Sequence, residues 1–182
     1  MQKEIIIAGF GGQGVLFGGQ VLTYAAMDSG KEVTWIPSYG PEMRGGTANC
    51  TVVIADHEIG SPFVKNPPLA IALNLPSFDK YEEMLAPGGT LVVNQSMVDR
   101  DAKRDDIHVI FVPCIEIAEE IGDKKLMNMV AMGALLTALP EITIEDVGKA
   151  LEGHLPARHA HLLPKNYDAL KRGFEAAQRV PA

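Results

Sequence analysis

Residues 9–14 read GFGGQG, directly behind the apolar run EIIIA. Glycines spaced G-x-G-x-x-G at the end of a strand can do phosphate chemistry. The first allows a tight turn, the second lets a pyrophosphate approach the backbone, and the third lets helix and strand pack closely. The helix that follows would offer free N–H groups and a partial positive charge to an anion. A dinucleotide site also needs an Asp or Glu at the end of the second strand to bind ribose hydroxyls. Here that strand ends Trp35-Ile36-Pro37-Ser38, and the nearby acid, Glu32, falls at its start. The NAD reading is therefore incomplete. For NADP, Ser38 and Arg44 would have to meet a 2′-phosphate.

A second loop, SYGPEMRGG at residues 38–46, is expected beside the first, at the edge of an open α/β sheet where ligands bind. It holds Tyr39, Glu42 and Arg44, with Gly45 and Gly46 behind them. Arginine's planar fork suits a carboxylate or a phosphate; a surface pair between Arg44 and Glu42 is the plainer reading. Among the other polar candidates, Asn128 stands alone in an apolar stretch and needs a hydrogen-bond partner, for which an internal backbone group is expected. His154, His159 and His161 cluster, but no Cys or acid lies near them in sequence to complete a metal set. They read as exposed loop residues.

The elements that must position these groups follow from patterning. Lys3–Ala8 reads as a strand buried on both faces. A helix is expected from about Gln13 to Ser29, closed by Gly30. Gly18 and Gly19 leave one side of it bare, for a sheet, a neighbouring helix, a partner chain or a cofactor phosphate. Lys31–Pro37 is the next strand, and the β-loop-α-β opening predicts a right-handed crossover and a parallel sheet. Thr47–Ile54 alternates as a half-buried strand, antiparallel and near an edge. Leu69–Leu73, Thr90–Val93 and Ile107–Val112 are further strands, with a short helix capped by Ser77 between the first two. Residues 124–139 form a helix apolar nearly all round, buried between layers or under another subunit. Thr143-x-x-Asp146 opens another helix with a capping box. Lys165–Arg179 carries an apolar stripe expected to dock on its own domain. The fold class is α/β, a three-layer Rossmann-like, mostly parallel sheet with helices on both faces and a helical C-terminal end. The 182 residues make one domain.

Bulk properties remove other classes. A net charge of −7 disfavours nucleic acid, which needs clustered cations. The cysteines, Cys50 and Cys114, are far apart, so neither a zinc ribbon nor an iron–sulfur cluster is expected on this chain, and a reducing, cytoplasmic setting suits it. No stretch reaches the length of a membrane span, and the N-terminus lacks a signal-peptide pattern.

GFGGQGV at 9–15 followed by SYGPEMRGGTANC at 38–50 resembles the gamma subunit of 2-oxoacid:ferredoxin oxidoreductases, most closely the 2-oxoglutarate type. IGSP at 59–62, LNLPSFDKY at 73–81 and MNMVAMGAL at 127–135 continue the resemblance in order. One departure is Pro67-Pro68, where the family places an Asp before a strand. The resemblance implies a chain without cofactors of its own and inactive alone. Thiamine pyrophosphate and Mg would sit on alpha and beta subunits, iron–sulfur clusters on a ferredoxin-like delta subunit, and coenzyme A would take the acyl group. With that division of labour, Gly11, Gly12, Gln13 and Gly14, then Tyr39, Glu42, Arg44, Gly45 and Gly46, are our expected anion, cofactor or subunit contacts at the active-site edge, with Asn128 beside them. Arg44 would face a coenzyme A phosphate or an acid of the alpha subunit. An isolated chain, its partner surface bare, can form a homodimer. The alternative is a stand-alone NAD(P)-binding oxidoreductase.

Overall fold

The computed structural model describes residues 1–39 and 46–179, apart from the side chain of Tyr39. β1 (Gln2–Phe10) leads through the glycine loop into α1 (Val15–Asp28) and β2 (Glu32–Tyr39). β3 (Thr47–Ala55), β4 (Leu69–Ala72), α2 (Leu75–Met84), β5 (Thr90–Asn94) and β6 (His108–Val112) follow. α3 (Cys114–Ile121), α4 (Met127–Leu136), α5 (Ile144–His154) and α6 (Leu163–Gln178) complete the chain.

The sheet order is β2-β3-β1-β4-β5-β6. β1, β4, β5 and β6 run parallel, whereas β3 is antiparallel to both β1 and β2. β2 therefore points the same way as β1 but does not touch it. The expected β-α-β unit is present, and β3 fills the place between its strands. β3 is antiparallel as expected and lies one strand in from the edge. Its second half, Val52–Ala55, is buried without alternation because strands flank it on both sides. The edge belongs to β2, which carries Pro37, a residue unable to donate to a neighbouring strand.

Three consecutive isoleucines divide between the two faces of β1. Ile5 and Ile7 join Leu22, Ile71, Met129, Leu135 and Leu170 in the larger core under α1, α4 and α6. Ile6 and Ala8 meet Phe78, Tyr81, Leu85 and Leu91 under α2. Helices cover both faces, unequally. α1 ends in a Schellman motif: Lys31 N–H donates to Ala26 O (3.0 Å), Gly30 N–H donates to Met27 O (2.9 Å), and Gly30 has φ +77°. The α5 capping box is complete, with Asp146 N–H donating to Thr143 Oγ1 (3.1 Å) and Thr143 N–H to Asp146 Oδ2 (2.9 Å). α2 departs from expectation. Asn74, not Ser77, is its cap and accepts from Ser77 N–H at 2.9 Å. Pro76 is preorganised for the first helical turn, so the helix begins before Ser77. Every residue of α4 is buried, and α6 docks on it as the apolar stripe predicts.

The segment after β5 is clamped to α2 by Glu82, a carboxylate only 2% exposed. It accepts from Arg100 Nη2 at 2.7 Å and from the N–H groups of Lys103 and Arg104. The Arg104 guanidinium caps the helix end, donating to Glu82 O (3.0 Å) and Leu85 O (2.7 Å). Burial alone would raise the Glu82 pKa, but these donors together hold it below the usual carboxylate range. A depressed folded pKa gives stability that is present above the unfolded pKa and is lost as pH falls through the folded one. Glu82→Gln is expected to lower stability at neutral pH by about 1–3 kcal/mol. The gap to wild type should close below the carboxylate range in urea titrations run across pH. A gap that stays constant would remove Glu82 from the acid response.

Candidate functional site

The glycine loop lies at the C-terminal end of β1. Gln13 folds back into it: Phe10 N–H donates to Gln13 Oε1 (2.6 Å), and Gln13 Nε2 donates to Leu73 O (3.2 Å). Asn74 Nδ2 donates to Gln13 Oε1 (3.3 Å), and Asn94 Nδ2 donates to Leu73 O (3.3 Å). Three amides from the ends of β1, β4 and β5 thus form one network: Gln13 and Asn94 share the Leu73 carbonyl, and Asn74 reaches Gln13. The chain leaves β1 toward β2 and leaves β4 toward β5, on opposite sides, so β1/β4 is the switch point at which an open sheet binds nucleotides. Here Gln13 fills that crevice from within. Gly9 leaves room for it: a Cβ there would lie 2.5 Å from Gln13 Oε1 and 3.0 Å from Leu73 Cβ.

Gly14 caps α1 in the left-handed region, with φ +75° and no side-chain cap on the helix. Its carbonyl accepts from Gly18 N–H (2.9 Å) and from Asn128 Nδ2 (3.1 Å). Asn128 therefore has the internal backbone partner expected of it, and it pins α4 to the glycine loop. Beside this bond opens a cleft of about 310 Å³ bordered by Gly12, Gly14, Lys125, Asn128, His159 and Asn166. Gly12, at φ +99°, has open space around it. The cleft borders the N-terminal turn of α1, where backbone N–H groups lack helical partners, and it carries one cation, Lys125, and one acid, Asp123.

A second groove of about 370 Å³ continues along α1 toward Tyr24 and His154. Tyr24 stacks on His154 with ring centroids 3.9 Å apart, and His154 Nε2 lies 3.0 Å from Asp28 Oδ2. The fold thus supplies His154 with an acid that is distant in sequence. No group of three or more His, Cys, Asp or Glu that could hold a metal occurs among the described residues. The bare side of α1 meets the sheet and α4. Gly19 faces Trp35 and Cys50, and Gly18 faces Met132. Burial pushes the Cys50 thiol up to about 11 despite the Trp35 indole beside it, and raises Cys114 as well. Neither is poised as a nucleophile.

Of the residues singled out from sequence, Gly11, Gly12, Gln13, Gly14, Gly46 and Asn128 come together at one edge. Gly11 N–H donates to Gly46 O at 3.0 Å and joins the two loops. Tyr39 ends β2. Glu42, Arg44 and Gly45 lie outside the described residues. Sequence reasoning missed Asn74, Asn94, Lys125 and Asn166. An Asn two residues before Pro76, and another closing the apolar strand β5, were the available signals for the first two.

Residues 4–176 match the family described as pyruvate ferredoxin/flavodoxin oxidoreductase. The chain belongs to this family. The 2-oxoglutarate synthase subunit KorC of Methanocaldococcus jannaschii is 34% identical over 183 residues, covering 99% of this chain and 96% of that protein. The ketoisovalerate oxidoreductase subunit VorA of Methanothermobacter marburgensis is 40% identical over 149 residues, 80% of this chain but 31% of that protein. The chain thus spans about a third of the length of VorA. Among solved structures, the gamma subunit of a keto/oxoacid ferredoxin oxidoreductase from Geobacter sulfurreducens PCA superposes with a TM-score of 0.83 at 29% identity, covering 98% of this chain and 99% of that one. The resemblance carried by the paired glycine motifs thus extends along the whole chain. No helix among the described residues is long and apolar enough to cross a membrane.

Proposed function

We propose that this chain is the gamma-type subunit of a thiamine-dependent 2-oxoacid:ferredoxin oxidoreductase, acting as one domain, with 2-oxoglutarate as the favoured substrate. The assembly would oxidise and decarboxylate the 2-oxoacid, pass the acyl group to coenzyme A and deliver electrons to ferredoxin in the cytoplasm. The near co-extensive match to KorC carries this reading. The donor set of this chain does not suit an iron–sulfur cluster, since Cys50 and Cys114 are buried in separate places. The clusters, thiamine pyrophosphate and Mg would accordingly fall to alpha, beta and ferredoxin-like delta partners.

What this chain would contribute is an edge. Gly12 and Gly14 keep the backbone bare at the cleft, Asn128 braces it, and Lys125 and Asp123 border it, while Gly11 and Gly46 join the two loops and Gln13 holds the glycine loop from within. That arrangement suits an anionic part of coenzyme A or an acid of the alpha subunit, with Tyr39, Glu42, Arg44 and Gly45 completing the edge.

The stand-alone dinucleotide reading loses support from the topology. β3 sets β2 two strand spacings, about 10 Å, from β1, too far for an acid at its end to reach a ribose held on the glycine loop. The test is co-purification from the source organism, then a 2-oxoacid panel with coenzyme A and a ferredoxin-like acceptor. Thiamine-binding and iron–sulfur partners with turnover of one acid are expected, and Arg44→Ala should weaken coenzyme A dependence or assembly. A chain that purifies alone and gains about 2.7 kcal/mol at 100 times the dissociation constant of NAD or NADP would overturn the proposal.

A further inference from the structure

Residues 156–162 join α5 to α6 and wall both clefts beside α1. They form a short 3-10 turn, Ala157–Leu162, in which no residue is buried. Their hydrogen bonds are local. His159 N–H donates to Pro156 O (2.8 Å), Arg158 Nε donates to His159 Nε2 (3.1 Å), and His161 Nδ1 lies 3.0 Å from Arg158 O. Asn166 Nδ2, in the first turn of α6, donates to Leu162 O (2.8 Å). Among the described residues, none of these polar contacts reaches α1 or α4, the helices on the far side of the clefts. Both ends, in contrast, are fixed. At the α5 end His154 lies 3.0 Å from Asp28 Oδ2 and stacks on Tyr24, and Leu155 packs against the core. At the α6 end Leu163 packs against the core and Pro164 sits in the first helical turn.

The untethered stretch divides one space into two. Phe17, Leu155 and His159 border both clefts, whereas Pro156 borders only the one at Tyr24 and Leu162 only the one at Gly12. We propose that residues 156–162 are a hinged strap, and that its opening joins the two clefts into one trough along α1. At 1.5 Å per residue that trough spans about 15 Å of helix between Gly14 and Tyr24. Opening requires the loss of few contacts, because no residue of the turn is buried and its polar contacts travel with it. Segments of this kind open at the low end of the local free-energy range, without unfolding the domain. The strap thereby controls access to the glycine-loop cleft from solvent, as lids do over other sites. That use rests on the proposed function; the motion itself does not.

The test uses the full chain carrying Phe17→Cys, in which the native Cys50 and Cys114 are buried. Two rates are measured at urea concentrations below the unfolding transition: trypsin cleavage after Arg158, and reaction of the new thiol with a bulky maleimide. Both follow the open population when the strap opens and closes faster than it is attacked. Each is expected to rise with urea at less than about a quarter of the slope of global unfolding, because opening exposes little surface. Leu162→Ser, which removes an apolar side chain from the cleft side of the strap, should quicken both by a common factor of about three or more. Rates that follow the full global slope overturn the inference, as does an Arg158 bond left uncut below the transition. So does a thiol that reacts as fast as an exposed one and ignores Leu162→Ser. None of these outcomes touches the function reading, which fails separately, on co-purification and the 2-oxoacid panel.

Discussion

Replacing Gly133 by alanine is expected to destabilise the chain by about 3 kcal/mol or more, a loss of roughly 6–12 °C in Tm. Gly133 sits in α4 where α6 crosses it. A Cβ there would meet the Leu170 carbonyl carbon at 2.7 Å and its Cα at 2.9 Å. The relation is reciprocal: a Cβ on Gly173 of α6 would meet the Val130 carbonyl carbon at 2.7 Å. Side chains rotate away from such contacts, but backbone cannot, so the helices would have to separate along an interface that buries all of α4. The sign of the effect is informative. In an unobstructed helix the same change stabilises by about 1 kcal/mol through propensity. Gly153 of α5 supplies the control, since nothing lies within 4 Å of its added Cβ. Urea unfolding of the two variants should move in opposite directions. A stabilised Gly133→Ala would mean that α4 and α6 do not approach backbone to backbone.

What the sequence makes legible is whatever local chemistry decides. The α1 stop at Gly30, the Thr143–Asp146 box and the buried centre of the helix expected over 124–139 are written in a few adjacent residues, and the structure reproduces them, the last as the shorter α4. What it hides depends on partners distant along the chain. Nothing local says that β3 returns between β1 and β2, because its alternation suits an edge or a flanked strand equally. The glycines of α1 and of the α4–α6 crossing look alike in sequence, yet the first serve a sheet and the second serve helix backbones. The site divides in the same way. The glycine loop and Asn128 are visible as unusual residues in their surroundings. Asn74 and Asn94 look like ordinary strand ends until three strands bring Asn94 to the Leu73 carbonyl and Asn74 to the Gln13 side chain.

The glycine loop itself is open to a decisive test. Its spacing is that of a pyrophosphate cradle, but its contacts are internal. Gly9 admits Leu73, Gln13 fills the crevice, and Gly14 admits the Asn128 amide. If Gly14 is glycine for the sake of Asn128, its replacement should be costly for two separable reasons. Alanine at φ +75° costs about 1–2 kcal/mol by itself. Its Cβ would also lie 2.9 Å from Asn128 Cγ, a collision expected to add about 1–2 kcal/mol. Gly14→Ala should therefore lose about 2–4 kcal/mol in the wild-type background and about 1–2 kcal/mol when Asn128 is already alanine. Thermal unfolding of the four proteins in the cycle measures the difference. Equal losses in both backgrounds would mean that Asn128 is not what Gly14 accommodates, and the motif would return to being a ligand cradle. Unequal losses would make the third glycine of this G-x-G-x-x-G the place where α4 docks.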